Sequence, residues 1–427
     1  MSPESLVKPT CPHCWARFEP YETLWIASLR GDVRLGDEAF RRFRPSRFSP
    51  EGDAIDERGK PCNKYACPAC HLPLPGVCLE LEPLFVSVFG TPASGKSYYL
   101  AAMAHNLRRL LLEQFRVNFT DANAAMNQII IGYEQSVFAH PTPNEEVPLG
   151  RLIAKTQEVG DMYNVVTVGA DRIQYPKPFM FKLVPADDHP LADDPGPVSR
   201  LMCLYDNAGE SFLIDRDSDT RPVTRHLAQS ALLLFLFDPI QHSPFRQRLG
   251  TVASDLRGGT IPQDLVLAEA ADLIRRFAHL RHADRQDCPL IVVVTKKDLW
   301  GSLVPELNTR EPVIAPTSTR AAALNLGLLE RQSGAIRQLL VDLAPEVVNA
   351  AEALASPVFY VGVSSLGTAP TQHPETKQWS IRPSRIRPDG VEIPILYGLN
   401  LQFPRLIPGG RRHPPSTGGL PSPPGGK

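Results

Sequence analysis

The sequence lacks the features that mark membrane-spanning, secreted and strongly basic proteins. Its longest purely apolar run, residues 231–237, is far too short to span a bilayer. The N-terminal stretch MSPESLVKPTCPHC has no basic start followed by an apolar core, so we expect no secretory signal and a cytoplasmic location. A formal net charge of −1 provides no overall attraction to nucleic acid or acidic lipid, and we expect neither as a partner.

Cysteine is too sparse to indicate a disulfide framework. The chain of 427 residues has 8 cysteines, and in the expected reducing compartment these indicate metal ligands or free thiols more than disulfides. Hydrophobic residues make up 43% of the chain and charged residues 21%, which is ordinary for a globular protein.

Three regions follow from the distribution of residue types. Residues 1–82 hold two cysteine pairs separated by an arginine-rich stretch, which predicts a zinc-ribbon-like module with an insertion. Residues 83–404 alternate short apolar runs with helical patterns, which predicts βαβ units and a mostly parallel sheet in an α/β fold. Residues 405–427 are rich in proline, glycine and serine, and we expect them to be disordered.

The apolar runs identify the expected strands. Runs this continuous are typical of strands that are covered on both faces. We expect strands at 84–89, 179–184, 200–205, 231–237, 290–294 and 357–363, with the second and third as neighbours. The expected helices lie at 97–115, 262–280 and 319–354, the last one broken near Pro345.

The first candidate site is the segment 90–97, GTPASGKS, which matches G-x-x-x-x-G-K-[ST] at every fixed position. A strand precedes it and a helical pattern follows, so its backbone N–H groups would wrap phosphates at a helix N-terminus. Lys96 would pair with the β- and γ-phosphates, and the Ser97 hydroxyl would bind Mg²⁺. The alternative is an ordinary strand–helix turn with a surface lysine. The nucleotide-binding candidates here are Gly90, Ser94, Gly95, Lys96, Ser97 and Tyr98.

A second candidate segment, YDNAGE at 205–210, follows an expected strand. Asp206 would hold Mg²⁺, usually through water. Gly209 would let a backbone N–H approach the γ-phosphate without a side chain in the way. The alternative is a strand that ends in an ordinary turn.

The segment LIVVVTKKD at 290–298 bears on the choice of base. Its strand delivers Lys296 and Asp298 to the carboxyl edge of the sheet, where ligands bind in such folds. The Asp298 carboxylate would accept from the N1–H and the exocyclic amine of guanine, a donor pair that adenine does not offer. Lys296 would pack on the base, and Thr295 keeps a hydroxyl for local hydrogen bonds. Backbone N–H groups of Ser364 and Ser365 would reach the guanine O6.

The motifs GTPASGKS, DNAG, TKKD and SSL occur in the order found in P-loop GTPases, and the chain resembles the Ras-like or translation-factor-related class over about residues 84–400. The resemblance implies a P-loop NTPase fold, GTP and GDP binding, and Mg²⁺. Thr295 stands where that class most often has asparagine. In layout, the cysteine pairs, the SGKS loop and the late VEIPILY segment resemble the bacterial double-GTPase proteins of conflict or signalling systems.

Catalysis is expected to be slow. The resemblance places Glu210 where Ras-like members carry the glutamine that orients the attacking water, and a carboxylate beside a phosphoryl group is unfavourable. Lys96 and Glu210 are the catalytic candidates. The switch threonine that completes the Mg²⁺ shell would be Thr167 or Thr156. We expect a protein partner, a second GTPase or an activating protein, to complete the site or to supply an arginine.

The cysteine pairs Cys11-Pro-His-Cys14 and Cys67-Pro-Ala-Cys70 predict a structural zinc site with four thiolates. Such a closed site stabilises the fold and leaves no open position for catalysis. The alternative is a group of reduced, buried thiols. Possible substitutes or neighbours of the ligands are Cys62, His13 and His71, whereas Cys78, Cys203 and Cys288 are expected in or near the core.

The insertion between the cysteine pairs is rich in arginine and phenylalanine at 30–47. Such a stretch binds nucleic acid or an acidic partner, or is a partly ordered insertion with solvated charge, and we expect the second. Two functions compete with a regulatory GTPase: an ATP-driven P-loop enzyme, and a zinc-ribbon scaffold whose nucleotide domain binds but does not hydrolyse.

Overall fold

A mixed α/β fold with a seven-stranded, mostly parallel sheet is seen in the computed structural model of the chain. The structure describes residues 8–153, 163–206, 224–250, 261–281, 284–317, 321–373 and 375–410. The described strands are β1 (Leu24–Asp32), β2 (Gly36–Phe43), β3 (Ala54–Ile55), β4 (Pro61–Cys62), β5 (Tyr65–Ala66), β6 (Pro73–Leu74), β7 (Glu82–Gly90), β8 (Val117–Asp121), β9 (Val147–Pro148), β10 (Tyr163–Val168), β11 (Asp171–Pro176), β12 (Phe179–Pro185), β13 (Arg200–Asp206), β14 (Leu232–Phe237), β15 (Leu290–Val294), β16 (Ile314–Ala315), β17 (Ala323–Asn325), β18 (Val358–Gly362), β19 (Thr371–Gln372), β20 (Trp379–Ile381) and β21 (Gly409–Gly410).

The described α-helices connect the sheet strands or flank them. They are α1 (Lys96–Leu110), α2 (Gln128–Phe138), α3 (Leu149–Leu152), α4 (His226–Gln229), α5 (Ser243–Leu249), α6 (Gln263–Ala278), α7 (Lys297–Trp300), α8 (Leu326–Leu343), α9 (Pro345–Leu354) and α10 (Ile393–Gln402). Within the described ranges, no helix is both long enough and apolar enough to cross a membrane.

The main sheet has the strand order β18-β15-β14-β7-β13-β12-β8. Strand β12 runs antiparallel to both of its neighbours, and every other adjacent pair is parallel. This confirms the predicted mostly parallel sheet and the predicted pairing of the runs at 179–184 and 200–205. After β7 the chain builds one side of the sheet and then crosses to β14 on the other side. The carboxyl end of β7 is therefore a topological switch point, where a crevice for ligands opens in such sheets.

The central strands are buried on both faces, as their continuous apolar runs predict. Along β14, Leu232, Leu234 and Leu236 belong to the core cluster that contains α1 and α10. The alternate residues Leu233, Phe235 and Phe237 belong to the cluster on the opposite face, with α6, α8 and α9. Because successive side chains of a strand point to opposite faces, one run of six apolar residues serves two cores.

Several element bounds differ from the sequence predictions. The helix expected at 319–354 begins only at Leu326, because residues 323–325 form β17 and the Asn325 side chain accepts from the amide of Leu328 at 3.1 Å. Its break at Pro345 is confirmed, since Pro345 begins α9. The helix expected at 97–115 ends as α1 at Leu110 and continues as one π-helical turn.

The predicted disordered tail begins too early. Leu406 and Ile407 are fully buried in the core, and β21 pairs with β17. Burial of these two apolar side chains is favourable enough to order the segment, although the prolines and glycines around it predict disorder. Residues 411–427, the rest of that prediction, lie outside the described residues.

The cysteine module packs directly on the main sheet. Its buried residues Trp15, Cys67 and Leu72 share one core cluster with Met180 of β12 and Tyr205 of β13. The module therefore covers one face of the sheet at β12 and β13, and β13 is the strand that ends in Asp206.

Candidate functional site

The loop between β7 and α1 depends on two glycines. A Cβ atom at Gly90 would lie 2.6 Å from the backbone carbonyl oxygen of Leu236, so the close approach of β7 and β14 excludes a side chain here. Gly95 has a φ of +94°, a left-handed conformation that favours glycine, and it caps the N-terminus of α1. The two glycines thus let the loop turn sharply and point its backbone towards the start of a helix.

Lys96 folds back over this loop. Its ammonium donates to the carbonyl oxygens of Gly90 and Thr91, each at 3.0 Å, and the residue is buried. The positive charge is therefore held at the centre of the loop, on the helix N-terminal side where anions are favoured. Ser97 follows it in the first turn of α1 and is half-buried.

Asp206 ends β13, the strand next to β7, and its carboxylate is buried. Among the described residues neither of its oxygens has a hydrogen-bond partner. Burial raises the pKa of Asp206 to about 6, and the charge of Lys96 acts in the opposite direction. A buried carboxylate without donors is costly unless a cation neutralises it, so the chemistry of this position fits a bound Mg²⁺.

The TKKD segment reaches the same edge of the sheet. The Thr295 hydroxyl lies 3.3 Å from the carbonyl oxygen of Ser94 and 3.2 Å from that of Phe237, so it connects the end of β15 with the loop. The threonine hydroxyl forms hydrogen bonds as expected, but both of its partners are distant in the sequence and not local. Lys296 has a φ of +57°, and its ammonium lies 2.6 Å from a carboxylate oxygen of Asp238.

Asp298 is exposed at the rim, and Ser364 holds it there. The Ser364 hydroxyl donates to the Asp298 carboxylate and accepts from the amide of Gly367 at 2.8 Å. The Ser364 amide, however, donates to the carbonyl of Asp389 at 2.9 Å. The prediction that this amide reaches the guanine O6 is therefore wrong for Ser364, because a later segment of the chain already pairs with it. Ser365 remains the candidate for that contact.

Other predicted site residues lie elsewhere or outside the described residues. The Tyr98 hydroxyl donates to the carbonyl of Leu149, so only its backbone is placed for the loop. Thr167 is exposed on β10, where its amide donates to Arg34 of the cysteine module, and no described hydrogen bond joins it to the loop. Its assignment to Mg²⁺ stays a prediction. Outside the described residues lie Gly209, Glu210 and Thr156.

Sequence reasoning missed Gln241, which follows β14. Its side-chain oxygen accepts from the Thr91 hydroxyl at 3.1 Å, and its side-chain nitrogen donates to the carbonyl of Pro92 at 3.0 Å. Nothing in its local pattern reveals this role, because the partners lie about 150 positions earlier in the chain.

The four predicted zinc ligands lie together. Their sulfur atoms are all within 4.8 Å of one another, and the pairs Cys11–Cys70 and Cys14–Cys67 are 3.7 Å apart. Four sulfurs at the usual zinc–sulfur distance of ~2.3 Å would form a tetrahedron with edges of ~3.8 Å, which agrees. Burial raises the pKa of the Cys11 thiol, so a set of thiolates here needs a cation. The donor set therefore fits zinc.

The two cysteine knuckles repeat one geometry. Trp15 and His71, each directly after a second cysteine, have φ values of +59° and +64°. In each knuckle that residue's amide donates to the first cysteine's carbonyl, at 2.9 and 3.0 Å. An amide also donates to a sulfur in each, from His13 to Cys11 at 3.4 Å and from Ala69 to Cys67 at 3.3 Å. Backbone donors of this kind stabilise thiolates.

The possible substitute ligands have other roles. Burial lowers the pKa of His13 to about 4, so its ring is neutral and lies 3.3 Å from the carbonyl of Pro73. The His71 ring lies 3.0 Å from Asp32. The Cys62 thiol lies 3.6 Å from the carbonyl of Lys60 and is not part of the sulfur group.

The arginine-rich insertion is more ordered than predicted, whereas its solvated charge is as predicted, because Arg30, Arg41, Arg44 and Arg47 are exposed. It forms the β1–β2 hairpin, and two of its arginines bind the second knuckle. Arg42 donates to the carbonyl of His71 at 2.8 Å, and Arg34 donates to that of Ala69. Carbonyls of a tight turn need donors, and these guanidinium groups supply them.

Comparisons with known proteins find a relative of modest similarity. No family model matches the chain. The putative ESX-1 scaffolding and assembly protein SaeC of Mycolicibacterium smegmatis is 26% identical over 258 residues, 56% of this chain. The match spans 59% of that protein's length. Among solved structures, Sup35 complexed with GMPPNP is 12% identical, with 67% of this chain and 38% of that chain covered, at a TM-score of 0.20. A likeness at that TM-score carries no argument.

Proposed function

We propose that the chain is a P-loop GTPase that binds guanine nucleotides with Mg²⁺ at the carboxyl edge of its sheet. The observation that carries the proposal is the Asp206 carboxylate, buried without a described hydrogen-bond partner and close enough to Lys96 for the lysine charge to lower its pKa. A lysine-bearing loop and an unneutralised carboxylate at one switch point suit a phosphate and its metal ion.

Each side chain has a distinct part in the proposed site. Lys96 would exchange its contacts with the carbonyls of Gly90 and Thr91 for the β- and γ-phosphate oxygens. Ser97 and Asp206 would hold Mg²⁺, which neutralises the charge that develops on those oxygens. Asp298, held by Ser364, would accept from guanine, and Thr295 would keep the base side in register with the loop.

The choice of base is tested by the substitution Asp298→Asn. An asparagine offers a donor where the carboxylate offered only acceptors, so it favours xanthine, whose second carbonyl replaces the guanine amine. We expect the ratio of GDP to XDP affinity to fall by at least about 100-fold in equilibrium titrations. The matched control is Asp342→Asn on the exposed face of α8, which should leave the ratio unchanged. Equal affinity of the native chain for GDP and ADP would instead support an ATP-driven enzyme.

Hydrolysis is proposed to be slow without a partner. Glu210 lies outside the described residues, and the charge of its carboxylate beside a phosphoryl group would be unfavourable. Single-turnover hydrolysis of GTP by the isolated chain, loaded with Mg²⁺, tests it. A rate of about 1 per second or more would contradict the proposal.

A scaffold that binds nucleotide without hydrolysing it is the second candidate. The match to a protein described as a scaffolding and assembly protein favours it, and so does the cysteine module packed beside the strand of Asp206. Tight GDP and GTP binding with no turnover, even after addition of a cell extract, would select the scaffold. We place either function in the cytoplasm, with residues 1–82 as the zinc module and the nucleotide domain from residue 83 onwards, extended beyond 404 to at least 410 because Leu406 and Ile407 are buried in its core.

A further inference from the structure

A short turn after β14 lies between the phosphate side and the base side of the candidate site. It consists of Asp238, which is fully buried, and the 3₁₀ helix Pro239–Gln241. One oxygen of Asp238 accepts from the amide of Ile240 at 3.0 Å and begins that helix. The other oxygen pairs with the ammonium of Lys296 at 2.6 Å.

The far end of the turn contacts the phosphate loop. Gln241 accepts from the hydroxyl of Thr91 and donates to the carbonyl of Pro92, at 3.1 and 3.0 Å. Thr91 is fully buried, so loss of the Gln241 side chain would leave its hydroxyl without a partner, because bulk water does not reach it.

The turn is itself held from two directions. The Gln263 side chain accepts from the amide of Asp238 at 2.7 Å and donates to its carbonyl at 2.9 Å. The Arg246 guanidinium donates to the carbonyl of Ile240 at 3.1 Å. Because hydrogen bonds from Gln263 and Arg246 fix both ends of its backbone, the turn holds the Gln241 side chain in one position.

We infer that Gln241 is a positioning residue for the phosphate loop. We also infer that Asp238 fixes the positions of Gln241 and Lys296 relative to each other. The inference rests on the proposed function, since it assumes that the loop holds phosphates. A loop that must aim several N–H groups at an anion binds best when it is ordered in advance. One buried carboxylate would thus tie the geometry of phosphate binding to that of base binding.

The substitution Gln241→Met tests the inference, because methionine has a similar length and neither hydrogen bond. We expect the affinity for GDP to fall about 10-fold or more, as for the loss of two hydrogen bonds. The affinity for guanosine, which has the base but no phosphate, should change less than about twofold. Titration with fluorescent GDP, displaced by each compound, measures both.

Thr91→Val tests the same contact from its other end. It should weaken GDP binding in the native chain. In a Gln241→Met background it should lower the affinity for GDP by less than a further factor of about two, because the hydroxyl has then already lost its partner. The matched control is Gln338→Met on the exposed face of α8, which should leave GDP binding unchanged. If Gln241→Met does not fold, as judged by thermal unfolding, Thr91→Val decides.

Asp238→Asn tests the coupling. Asparagine keeps an oxygen for the amide of Ile240 but removes the charge opposite Lys296. We expect the preference for GDP over ADP to fall at least about threefold, together with weaker GDP binding. Weaker GDP binding with an unchanged preference would overturn the coupling.

The outcomes separate this inference from the proposed function. Native GDP affinity in both Gln241→Met and Thr91→Val would overturn the role of Gln241 and leave the GTPase proposal standing. An equal loss of GDP and guanosine affinity would also overturn it, because the effect would not follow the phosphates. A native chain that binds no nucleotide would overturn both.

Discussion

Single residues determine whether the candidate site can form and what it can hold. Gly90 is needed because a neighbouring strand leaves no room for a Cβ atom. Asp206 is an acid in a position that favours its neutral form until a cation arrives. Glycine at position 90 is required by packing alone, whereas a buried aspartate is an unfavourable choice for a purely structural turn and suits a site where a cation neutralises it.

Asp206→Asn should stabilise the chain in magnesium-free buffer near pH 7.5, by ~1–3 kcal/mol. Burial raises the pKa of Asp206 from 3.8 to about 6, so above pH 6 the folded state carries the cost of a buried charge. Below about pH 3 the carboxyl is protonated in both the folded and the unfolded chain, and the cost disappears. Urea titration at pH 7.5 and at about pH 3 measures the difference in the free energy of unfolding between the variant and the native chain.

The expected result is a stability difference that shrinks as the pH falls through about 6 and vanishes near about pH 3. The control Asp342→Asn, at an exposed position, should show no such change. A native chain more stable than Asp206→Asn at pH 7.5 without magnesium would contradict the prediction.

Gly90→Ala should destabilise the fold by ~1–3 kcal/mol, because the new methyl group would meet the Leu236 carbonyl at 2.6 Å. The matched control is Gly132→Ala within α2, where nothing lies within 4 Å of the new atom. That change should stabilise by ~0.5–1 kcal/mol, since alanine loses less conformational entropy in a helix. Thermal unfolding of both variants checks the opposite signs, and equal shifts would refute the argument from crowding.

At the scale of elements, the two cysteine knuckles come into one site because an insertion folds between them. The β1–β2 hairpin supplies arginines to the second knuckle, and Asp32 at the end of β1 holds His71. A separation of more than fifty residues is thereby converted into sulfur distances of 3.7 Å.

Zinc analysis should find one metal ion per native chain and less than about a tenth of that in Cys14→Ser, since a hydroxyl is a poor ligand for a structural zinc. Cys62→Ser is the matched control, because Cys62 belongs to the same module but not to the sulfur group. Elemental analysis of the purified proteins gives the ratio. Full zinc content in Cys14→Ser, or none in the native chain, would exclude the proposed site.

At the scale of the whole molecule, Tyr205 connects the cysteine module with the proposed nucleotide site. Its hydroxyl donates to the carbonyl of Pro12 at 2.6 Å and accepts from the Trp15 indole at 3.0 Å. The next residue along β13 is Asp206. The residue that contacts the first knuckle is therefore the direct neighbour of the proposed metal ligand, so a structural change in the knuckle would reach Asp206 through Tyr205.

Tyr205→Phe should lower the free energy of unfolding by ~2–4 kcal/mol, because it leaves a buried indole N–H and a buried carbonyl without partners. It should also speed the release of zinc to a chelator. Tyr360→Phe is the control: that hydroxyl donates to Glu352, a part-exposed acid, and among the described residues it contacts no group of the cysteine module. Denaturant titration and a zinc-release assay check both effects, and a loss no larger than that of Tyr360→Phe would contradict the connection.

The sequence by itself determined six of the seven strands of the main sheet, the phosphate-loop pattern and the four cysteines that lie together. Continuous apolar runs suit only strands covered twice, and two close cysteine pairs supply four sulfurs whatever folds between them. These features depend on neighbours in the chain, so local patterns reveal them.

Only the tertiary structure decided which distant groups meet. Thr295 and Ser94 are 201 positions apart, and Gln241 reaches Thr91 across 150 positions. The SSL motif predicts a base contact for the amide of Ser364, yet this amide already donates to the carbonyl of Asp389. Hydrogen bonds act over about 3 Å of space and not along the sequence, so packing of the whole sheet selects these partners.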